Sequence, residues 1–431
     1  MKKQKKKKAP QCIVVDLGSC SLKVGFSGIK TTASWAPNCS IATTTLPTPN
    51  RATMKGEAAR QQWERRDELI RPVQQGKITD MEQLKLLLTH AFNDRMDATT
   101  KNCHILFADA PGHGKMNRTD REDLLAWTFE RLEMQSCMFI PQPILAAFAT
   151  GRTSAIVVDA GFESSSVTRV VNGEMERSQV HHVNYASQES VMLEMLIKNE
   201  KISTNGEVGG GPPLHEIGPH TRLICEGTCY LYCGLDINKE RSSAKAGRCK
   251  KKYQLPDGTW LSVAEERFLI PEVMFATDFG NRWQSLGQGG LGGAVANLLK
   301  QSSDRDTYLD LANNIVCVGG RTETEHFDKR LDIEIAKGLG LKPRPKQTLE
   351  DSVSSRESEG EEGETKEGTK VDMRPKLPQN KARNKKKPRK YATWAGGAMV
   401  SSLNAMRSMW ITKQEFEELG GDVCIDRRRL S

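Results

Sequence analysis

Short apolar runs that end in an aspartate or a glycine pair recur along this chain, and they predict its β-strands. Residues 13–28 read IVVDLGSCSLKVGFSG, which is an apolar strand, a turn of small residues and a second strand. Residues 156–174 read IVVDAGFESSSVTRVVNGE and repeat this arrangement, so that Asp16 and Asp159 lie about one domain length apart. The pattern predicts two related domains that each begin with a β-hairpin. The alternative is two ordinary hairpins, since Asp and Gly are common in turns.

A third apolar run is followed by paired glycines. Residues 313–331 read NNIVCVGGRTETEHFDKRL, which predicts a strand, a turn at Gly319 and Gly320, and then a helix. Paired glycines let a flat ligand approach the backbone closely. A simple strand-to-helix turn is the alternative for this segment.

The alternation of apolar and polar residues breaks off between residues 342 and 387. This segment has almost no large apolar residue, an acidic centre and basic flanks, so it does not bury enough surface to offset its ordering entropy. We therefore predict a charged, disordered insert. Beyond it, apolar residues at helical spacing predict a helix, which indicates that the insert interrupts a fold. These residues are Met399, Leu403, Met406 and Trp410.

The composition is typical of a globular protein with two or more domains. The chain has 431 residues, of which 37% are hydrophobic, and this is enough for a substantial core. No apolar run reaches the ~18 residues of a membrane span, and no apolar core follows the N-terminal MKKQKKKKAPQ, so we expect neither membrane contact nor secretion. The 11 cysteines are scattered, and reduced thiols are expected.

The net charge of +9 is concentrated in two basic clusters. One belongs to a predicted basic, disordered tail over residues 1–11, and the other is KARNKKKPRK at residues 381–390. Such clusters attract phosphate polymers or act as nuclear import signals, and a solvated tail is the alternative. We expect a nuclear protein with nucleic-acid or other anionic contacts through these basic segments.

The two hairpins indicate how the domains would work together. If they face each other, the turn N–H groups and hydroxyls of both are suited to bind a polyphosphate. A divalent cation would then lie between Asp16 and Asp159. Mg²⁺ suits this position because it prefers oxygen ligands and retains most of its waters. Lys23, on the first hairpin, would add a positive charge for the phosphates.

An ordered series of sequence blocks resembles the actin family over most of residues 12–420. IVVDLGSCSLKVGFSG is similar to actin's first phosphate loop, and MFIPQPILAAFATGRTSAIVVDAG is similar to the segment that leads into the second loop. The chain resembles a divergent actin-related protein. The other blocks are GEAARQQWERRDELIRPVQQGKITDMEQLKLLLTHAF, CHILFADAPGHGKMNRTDREDLLAWTFE, ERFLIPEVMF, IVCVGG and RKYATWAGGAMVSSLNAMRSMWITKQEFEELG.

The resemblance implies a two-lobed α/β fold of the actin, Hsp70 and sugar-kinase type. In this fold, duplicated mixed β-sheet domains with flanking helices surround a central cleft. Residues 12–148 and 388–431 would form the small lobe with subdomains 1 and 2, and residues 149–341 the large lobe with subdomains 3 and 4. The cleft is expected to hold ATP or ADP with Mg²⁺.

The resemblance also assigns roles to individual residues. Asp16 and Asp159 are expected to hold the metal through water, and Gln142 to orient the attacking water, with Asp159 as the second catalytic residue. Glu226 matches the acid that binds the ribose hydroxyls, and Arg222 lies on the same predicted helix. The expected nucleotide-binding set is Asp16, Gly18, Ser19, Lys23, Asp159, Gly161, Arg222, Glu226, Gly319, Gly320 and Lys390.

Several residues depart from the actin pattern. In the second loop Phe162 stands in place of an acidic residue and Glu163 in place of a glycine, and a side chain at positive φ is costly. Ser166 replaces a histidine linked to water activation. We expect weakened nucleotide binding and at most a weak ATPase, because a misplaced water costs orders of magnitude in rate. The other departures are Cys20, Cys225, Glu323 and Thr324.

The loop by which actin subunits contact their neighbours is also altered. Residues 38–55 read NCSIATTTLPTPNRATMK, a shorter stretch without the expected apolar contact motif. We therefore expect a structural subunit that does not form filaments, within a multiprotein assembly of the chromatin-remodelling type whose other subunits include actin or another actin-related protein. One alternative is a cytoplasmic, cytoskeletal protein that polymerises or caps filaments with ATP hydrolysis. Another is a sugar or small-molecule kinase on the same fold.

Two further motifs are interpreted as structural. The G-x-G-x-x-G formed by Gly287, Gly289 and Gly292 follows no convincing strand, so a flexible turn is expected there. His181 and His182 are predicted to lie on the surface.

A cysteine repeat also requires an interpretation. Cys225, Cys229 and Cys233 recur every four residues on a predicted helix, with Cys249 beyond it. Zinc sites usually pair cysteines at the closer Cys-x-x-Cys spacing. A thiol-lined helix face is therefore favoured over a zinc site.

Overall fold

A computed structural model describes most of the chain. The predicted insert, most of the basic tail and most of the altered loop at residues 38–55 lie outside the described residues. Within them, no helix is long and apolar enough to cross a membrane. The described residues are 11–28, 36–43, 71–184, 188–199, 201–202, 217, 220–234, 236–255, 258–275, 290–302, 304–341 and 388–428.

The strands form two large sheets and two small hairpins. They are β1 (Cys12–Leu17), β2 (Ser21–Phe26), β3 (Cys39–Ala42), β4 (Val73–Gln74), β5 (Lys77–Ile78), β6 (His104–Asp109), β7 (Ser136–Pro141), β8 (Ala155–Ala160), β9 (Ser164–Val171), β10 (Glu174–Asn184), β11 (Lys251–Gln254), β12 (Trp260–Val263), β13 (Ile315–Val318) and β14 (Ile411–Thr412).

Helices flank both large sheets. The α-helices are α1 (Met81–His90), α2 (Arg118–Ala126), α3 (Gln142–Ala149), α4 (Gln188–Lys198), α5 (Thr221–Thr228), α6 (Ile237–Lys245), α7 (Glu266–Leu269), α8 (Gly290–Lys300), α9 (Arg305–Asn313), α10 (Phe327–Gly338), α11 (Ala392–Val400), α12 (Lys413–Leu419) and α13 (Gly421–Arg427). Shorter 3₁₀ or π segments are Ala91–Arg95, Gly112–Gly114, Trp127–Arg131, Ile270–Met274, Gly320–Glu323, Arg389–Tyr391 and Asn404–Met409.

The first large sheet has the strand order β14-β7-β6-β1-β2-β3. All six residues of β1 are buried, because this strand lies inside the sheet between parallel β6 and antiparallel β2. The β1–β2 register pairs Asp16 with Lys23. The first predicted hairpin therefore forms, and it brings an acid and a base to the same position of neighbouring strands.

The second large sheet has the strand order β10-β9-β8-β13. β8 and β9 form the second predicted hairpin, with Asp159 opposite Ser166, and β13 pairs in parallel with β8. The run that was predicted to be a strand before Gly319 is β13, and the helix predicted after the glycines is α10, reached through a short 3₁₀ segment. The same strand-turn pattern thus starts both sheets.

A hydrophobic cluster joins the two sheets. It contains Val14 and Leu106 from the first sheet, Val157 and Val316 from the second, and the fully buried Trp394 of α11. The indole Nε1 of Trp394 donates to the carbonyl oxygen of Val14 at 3.2 Å. The chain that resumes after the predicted insert therefore packs into the junction of the sheets. The domain limits given above stay a prediction.

An ion pair anchors the start of that returning segment. Arg389 is buried, and its guanidinium binds both carboxylate oxygens of Asp328 on α10, each at 2.8 Å. The same guanidinium donates to the carbonyl oxygen of Thr322 at 3.0 Å. A bidentate pair fixes the geometry of both groups, so the segment enters the fold at a defined point.

The helix predicted from residues 399–410 is only partly correct. α11 ends at Val400, and a 3₁₀ segment follows at Asn404–Met409. Met399, Met406 and Trp410 still pack against the cluster at the junction, whereas Leu403 is 42% exposed. The spacing of the apolar residues therefore identified contacts with the core but not the end of the helix.

Helices α3 and α11 approach each other closely at Gly396. A Cβ added to Gly396 would lie well inside van der Waals contact with the backbone carbonyl of Leu145. Because the obstacle is backbone rather than a flexible side chain, relief requires the two helices to separate. This position thus needs a residue without a side chain.

We predict that Gly396→Ala lowers the free energy of unfolding by about 1–3 kcal/mol, the usual cost of overpacking a core. The matched control is Gly227→Ala in α5, where an added Cβ meets nothing within 4 Å. We expect that change to be neutral or to stabilise by up to about 1 kcal/mol, since Ala is the better helix former. Urea denaturation of both variants checks this, and equal stabilities would contradict the close approach of the helices.

Candidate functional site

The turns that follow β1, β8 and β13 line a single cavity of about 350 Å³. The ends of neighbouring parallel strands are a common place for ligand sites in α/β proteins, because loops converge there without blocking one another. The start of α3 and one face of α5 complete the walls. Every residue of the predicted site lines this cavity: Asp16, Gly18, Ser19, Lys23, Gln142, Asp159, Gly161, Arg222, Glu226, Gly319, Gly320 and Lys390.

The first turn carries a compact polar group around Asp16. Its carboxylate is 4% exposed, and its Oδ2 lies 3.3 Å from the Nζ of Lys23. The Nε2 of Gln142, at the first position of α3, donates to Asp16 Oδ1 at 3.0 Å. Both contacts satisfy a carboxylate that would otherwise be costly to bury. Gln142 thus lies beside the first turn, as predicted.

Asp159 reaches the same cavity from the second sheet. The pKa of Asp159 is raised from 3.8 to about 6, chiefly by burial and secondly by the negative charge of Asp16, while Lys23 acts in the opposite direction. The side chain is partly open to the cavity. The two predicted aspartates are therefore close enough to repel each other across a shared space.

The donor set at this position fits a hydrated divalent cation. Two neighbouring carboxylates that repel each other gain from a cation between them, and oxygen is the ligand that Mg²⁺ prefers. Within the described parts of the chain, no three His, Cys, Asp or Glu side chains form a metal cluster. A cation between Asp16 and Asp159 would therefore depend on water and ligand oxygens for its other contacts.

A required glycine closes the third turn. Gly319 has φ +89°, which favours glycine, and an added Cβ would lie within van der Waals distance of the carboxylate of Asp159. Its amide donates to the carbonyl oxygen of Arg389 at 3.3 Å. Close approach of the backbone to Asp159 is thus built into this turn.

The end of the cavity at α5 is more open, since the side chains of Arg222 and Glu226 are 36% and 48% exposed. On α5 the Arg222 Nε lies 2.8 Å from Glu226 Oε1, and its Nη1 lies 3.1 Å from the sulfur of Cys20 in the first turn. The backbone N–H of Lys390 donates to Glu323 at 3.2 Å, and its ammonium lies over the ring of Tyr391. This end therefore offers an acid, a base and apolar surface.

The structure corrects the expectation that Phe162 and Glu163 strain the second turn. Neither residue has a positive φ. The centre of the Phe162 ring lies 5.8 Å from the guanidinium carbon of Arg71 and 5.7 Å from that of Arg321. Glu163 binds Arg71 rather than crowding the turn. The β8–β9 hairpin tolerates both side chains because its backbone remains in ordinary conformations.

The surface prediction for the histidine pair is wrong for His182. This residue lies on β10 directly opposite Ser166, and both line the cavity. Its ring also lies so close to Gly112 that a Cβ there would overlap it. The sequence offered a signal for this placement. The family resemblance implies a histidine at position 166, where this chain has a serine, and His182 lies opposite Ser166 on the neighbouring strand.

Only the first cysteine of the repeat, Cys225, lies on the helix, whereas three were predicted to lie on it. α5 ends at Thr228, so Cys229 follows the helix and Cys233 lies beyond it. Cys225 and Cys229 line the cavity. The hydrogen bond with Cys229, together with burial, holds the pKa of Cys225 well above its ordinary value. A thiol in this state is a poor zinc ligand, which agrees with the structural interpretation.

The G-x-G-x-x-G motif falls partly outside the described residues. Gly287 and Gly289 lie there, but Gly292 is inside α8, where an added Cβ would overlap Glu334 of α10. Gly292 therefore allows α8 to pack closely against α10, and it is not part of the predicted turn.

Comparison with known proteins gives consistent results. The family model for actin matches residues 7–207 and 223–429. The chain is 25% identical over 423 residues to actin-like protein 9 of Mus musculus, covering 95% of this chain and 86% of the relative. It is also 25% identical over 424 residues to actin-like protein 9 of Bos taurus, with the same coverage.

The raised pKa of Asp159 predicts that Asp159→Asn stabilises the ligand-free protein at pH 7.5. A carboxyl that binds its proton more tightly in the folded state adds most to the free energy of unfolding at a pH below its unfolded pKa. This stabilisation is lost as the pH rises through the folded-state pKa, which is about 6 for Asp159. The full pKa shift of Asp159 corresponds to about 3 kcal/mol of destabilisation by the ionised carboxylate, which is an upper limit because cavity water screens the charge.

Thermal denaturation between pH 4 and 8 checks this prediction. The stability advantage of Asp159→Asn should shrink as pH falls below about 6. The exposed Asp123→Asn on α2 serves as the matched control and should show no such trend. A variant that is no more stable than the natural protein at pH 7.5 would contradict the repulsion across the cavity.

Proposed function

This chain belongs to the actin family, and from that premise we propose that it is a weak nucleotide binder that does not form filaments and acts as a structural subunit of a nuclear, multiprotein assembly of the chromatin-remodelling type. The family match over most of the chain confirms the resemblance and the two-lobed α/β fold class. Actin-family proteins generally bind nucleotides and act in complexes with other proteins. The narrower statements below are proposals.

The observation that carries the nucleotide proposal is the convergence of three turns from two sheets on one cavity. ATP or ADP would place its phosphates between the first and second turns, where amides, Ser19 and Lys23 are available. Mg²⁺ would sit beside Asp16 and Asp159 through water, and when bound it would neutralise charge on the phosphates. Glu226 would bind the ribose at the open end.

Hydrolysis is proposed to be weak at most. Gln142 uses its amide nitrogen on Asp16 and, at 3.4 Å, on the carbonyl oxygen of Leu17, so only its oxygen is left to orient a water. Ser166 lies in the cavity where a histidine would be expected from the family. A single acceptor orients water less precisely than two groups, and rate depends steeply on that geometry.

The assembly proposal is supported by sequence features that lie mostly outside the described residues. The altered subunit-contact loop argues against regular filament packing, and so does the charged insert at residues 342–387. The two basic clusters support nuclear import and contacts with anionic partners. A structural role in which nucleotide stabilises the closed form of the lobes needs no turnover.

We predict that Lys23→Met lowers nucleotide affinity at least tenfold, since a charge-assisted contact to a buried phosphate is worth about 1.5–3 kcal/mol. Lys23 is 15% exposed and faces Asp16, so its removal also leaves that carboxylate without a cation. The matched control is Lys300→Met at the exposed end of α8. Titration with a fluorescent ATP or ADP analogue in Mg²⁺ checks the prediction, and circular dichroism confirms that the variant folds. Equal affinities for both variants would contradict the assigned phosphate end.

The assembly proposal predicts that purified protein stays in the supernatant after ultracentrifugation in Mg²⁺ and ATP. Purification of the tagged full chain from nuclei should recover a complex of fixed stoichiometry that contains actin or another actin-related protein. A variant with serine in place of the basic residues at 2–8, 381, 383 and 385–387 should lose nuclear accumulation. Arg389 is spared in this variant because its ion pair with Asp328 anchors the fold. Robust pelleting with ATP, or recovery of the intact chain in the cytoplasm alone, would favour the cytoskeletal alternative.

A further inference from the structure

We propose that Glu163 is a built-in anion at the phosphate end of the cleft, which ties the β4–β5 hairpin to the second turn and makes the cleft prefer a nucleoside diphosphate over a triphosphate. The preference for the diphosphate rests on the proposed nucleotide function. The tie between the hairpin and the turn does not.

Glu163 binds two donors that come from a distant part of the chain. Its Oε1 lies 2.6 Å from Nη1 of Arg71, and its Oε2 accepts from the backbone N–H of Gln75 at 3.1 Å. The Glu163 side chain is 15% exposed and that of Arg71 is 44% exposed. An exposed ion pair alone would be weak, but the backbone donor fixes the carboxylate in a second direction.

The same hairpin also contacts the first turn. The amide of Gly76, the residue after Gln75, donates to the hydroxyl of Ser19 at 3.1 Å. Consecutive residues of one turn therefore bind the first and second phosphate turns, and the Glu163 carboxylate lies within about 10 Å of Ser19 given standard backbone dimensions. Glu163 thus lies at the end of the cavity where two phosphate turns meet and a phosphate tail would terminate.

The arginines near this end are already bound to acids. Arg71 is paired with Glu163, and Arg321 binds both oxygens of Glu189 at 2.6 and 2.7 Å. Their guanidinium groups also lie over the Phe162 ring. An additional phosphate beside Glu163 would have to compete with this carboxylate for Arg71.

This arrangement discriminates between a nucleoside diphosphate and a triphosphate by their charge. A triphosphate carries about one more negative charge than a diphosphate, and that charge is at the end nearest to Glu163. Like charges at close range disfavour binding. A diphosphate ends before this position, so it leaves the pair of Arg71 and Glu163 intact.

The first test is a titration of the full chain with ADP and with ATP in Mg²⁺. The natural protein should bind ADP at least tenfold more tightly than ATP. Glu163→Gln keeps the length of the side chain and one acceptor oxygen but removes the charge. It should shift the preference about tenfold towards ATP, with ADP affinity changed less than threefold. The matched control is Glu417→Gln on α12, which is exposed and lies 3.8 Å from the ammonium of Lys413.

The second test needs no nucleotide. Hydrogen exchange at the amide of Gln75 in the ligand-free protein should be at least tenfold faster in Glu163→Ala than in the natural chain, because the acceptor is lost. The amide of Leu84 in α1 donates to the carbonyl oxygen of Asp80, and its exchange reports whether the fold is otherwise intact.

The outcomes distinguish the proposals. Unchanged exchange at Gln75 would overturn the tie between the hairpin and the second turn. Binding of both nucleotides with a preference that Glu163→Gln does not alter would overturn the diphosphate preference while leaving the nucleotide function standing. Absence of binding for both nucleotides by every variant would overturn the nucleotide function and the preference that rests on it, whereas faster exchange would still support the tie.

Discussion

The repulsion between Asp16 and Asp159 is the constraint around which this molecule is organised. Each carboxylate stands near the end of a strand in a different sheet, and burial together with the neighbouring charge raises the pKa of Asp159 to about 6. Lys23 and the Gln142 amide offset part of this cost at Asp16. The rest persists in the ligand-free protein, so the cavity favours a ligand that brings positive charge, such as a cation with its phosphates.

The distance between these carboxylates depends on packing well away from them. The close approach of α3 and α11 at Gly396 and the apolar cluster around Trp394 hold the two sheets at a fixed separation. Close-packed interiors deform little, so this junction transmits its geometry to the turns at the cavity. The bidentate pair of Arg389 and Asp328 fixes where the chain returns after the insert.

The second turn shows how departures from a family pattern acquire new contacts. The backbone of Phe162 and Glu163 is unstrained, and both side chains make contacts. Glu163 binds Arg71 and the amide of Gln75, and the guanidinium groups of Arg71 and Arg321 lie over the Phe162 ring. These two residues therefore add a contact between the β4–β5 hairpin and the turn between β8 and β9.

The local part of this structure could be read from the sequence alone. Both hairpins and the Gly319 turn follow from short motifs, because strand and turn preferences act over a few neighbouring residues. The assignment of Gln142, Arg222, Glu226 and Lys390 to the cavity came from the resemblance to the actin family. The end of α11, the position of His182 and the partner of Glu163 could not be read in this way. Arg71 lies 92 positions from Glu163, and Gln142 lies 126 positions from Asp16. Only the tertiary structure decides which of these distant groups meet, since a sequence pattern specifies the face of an element but not the element that covers it.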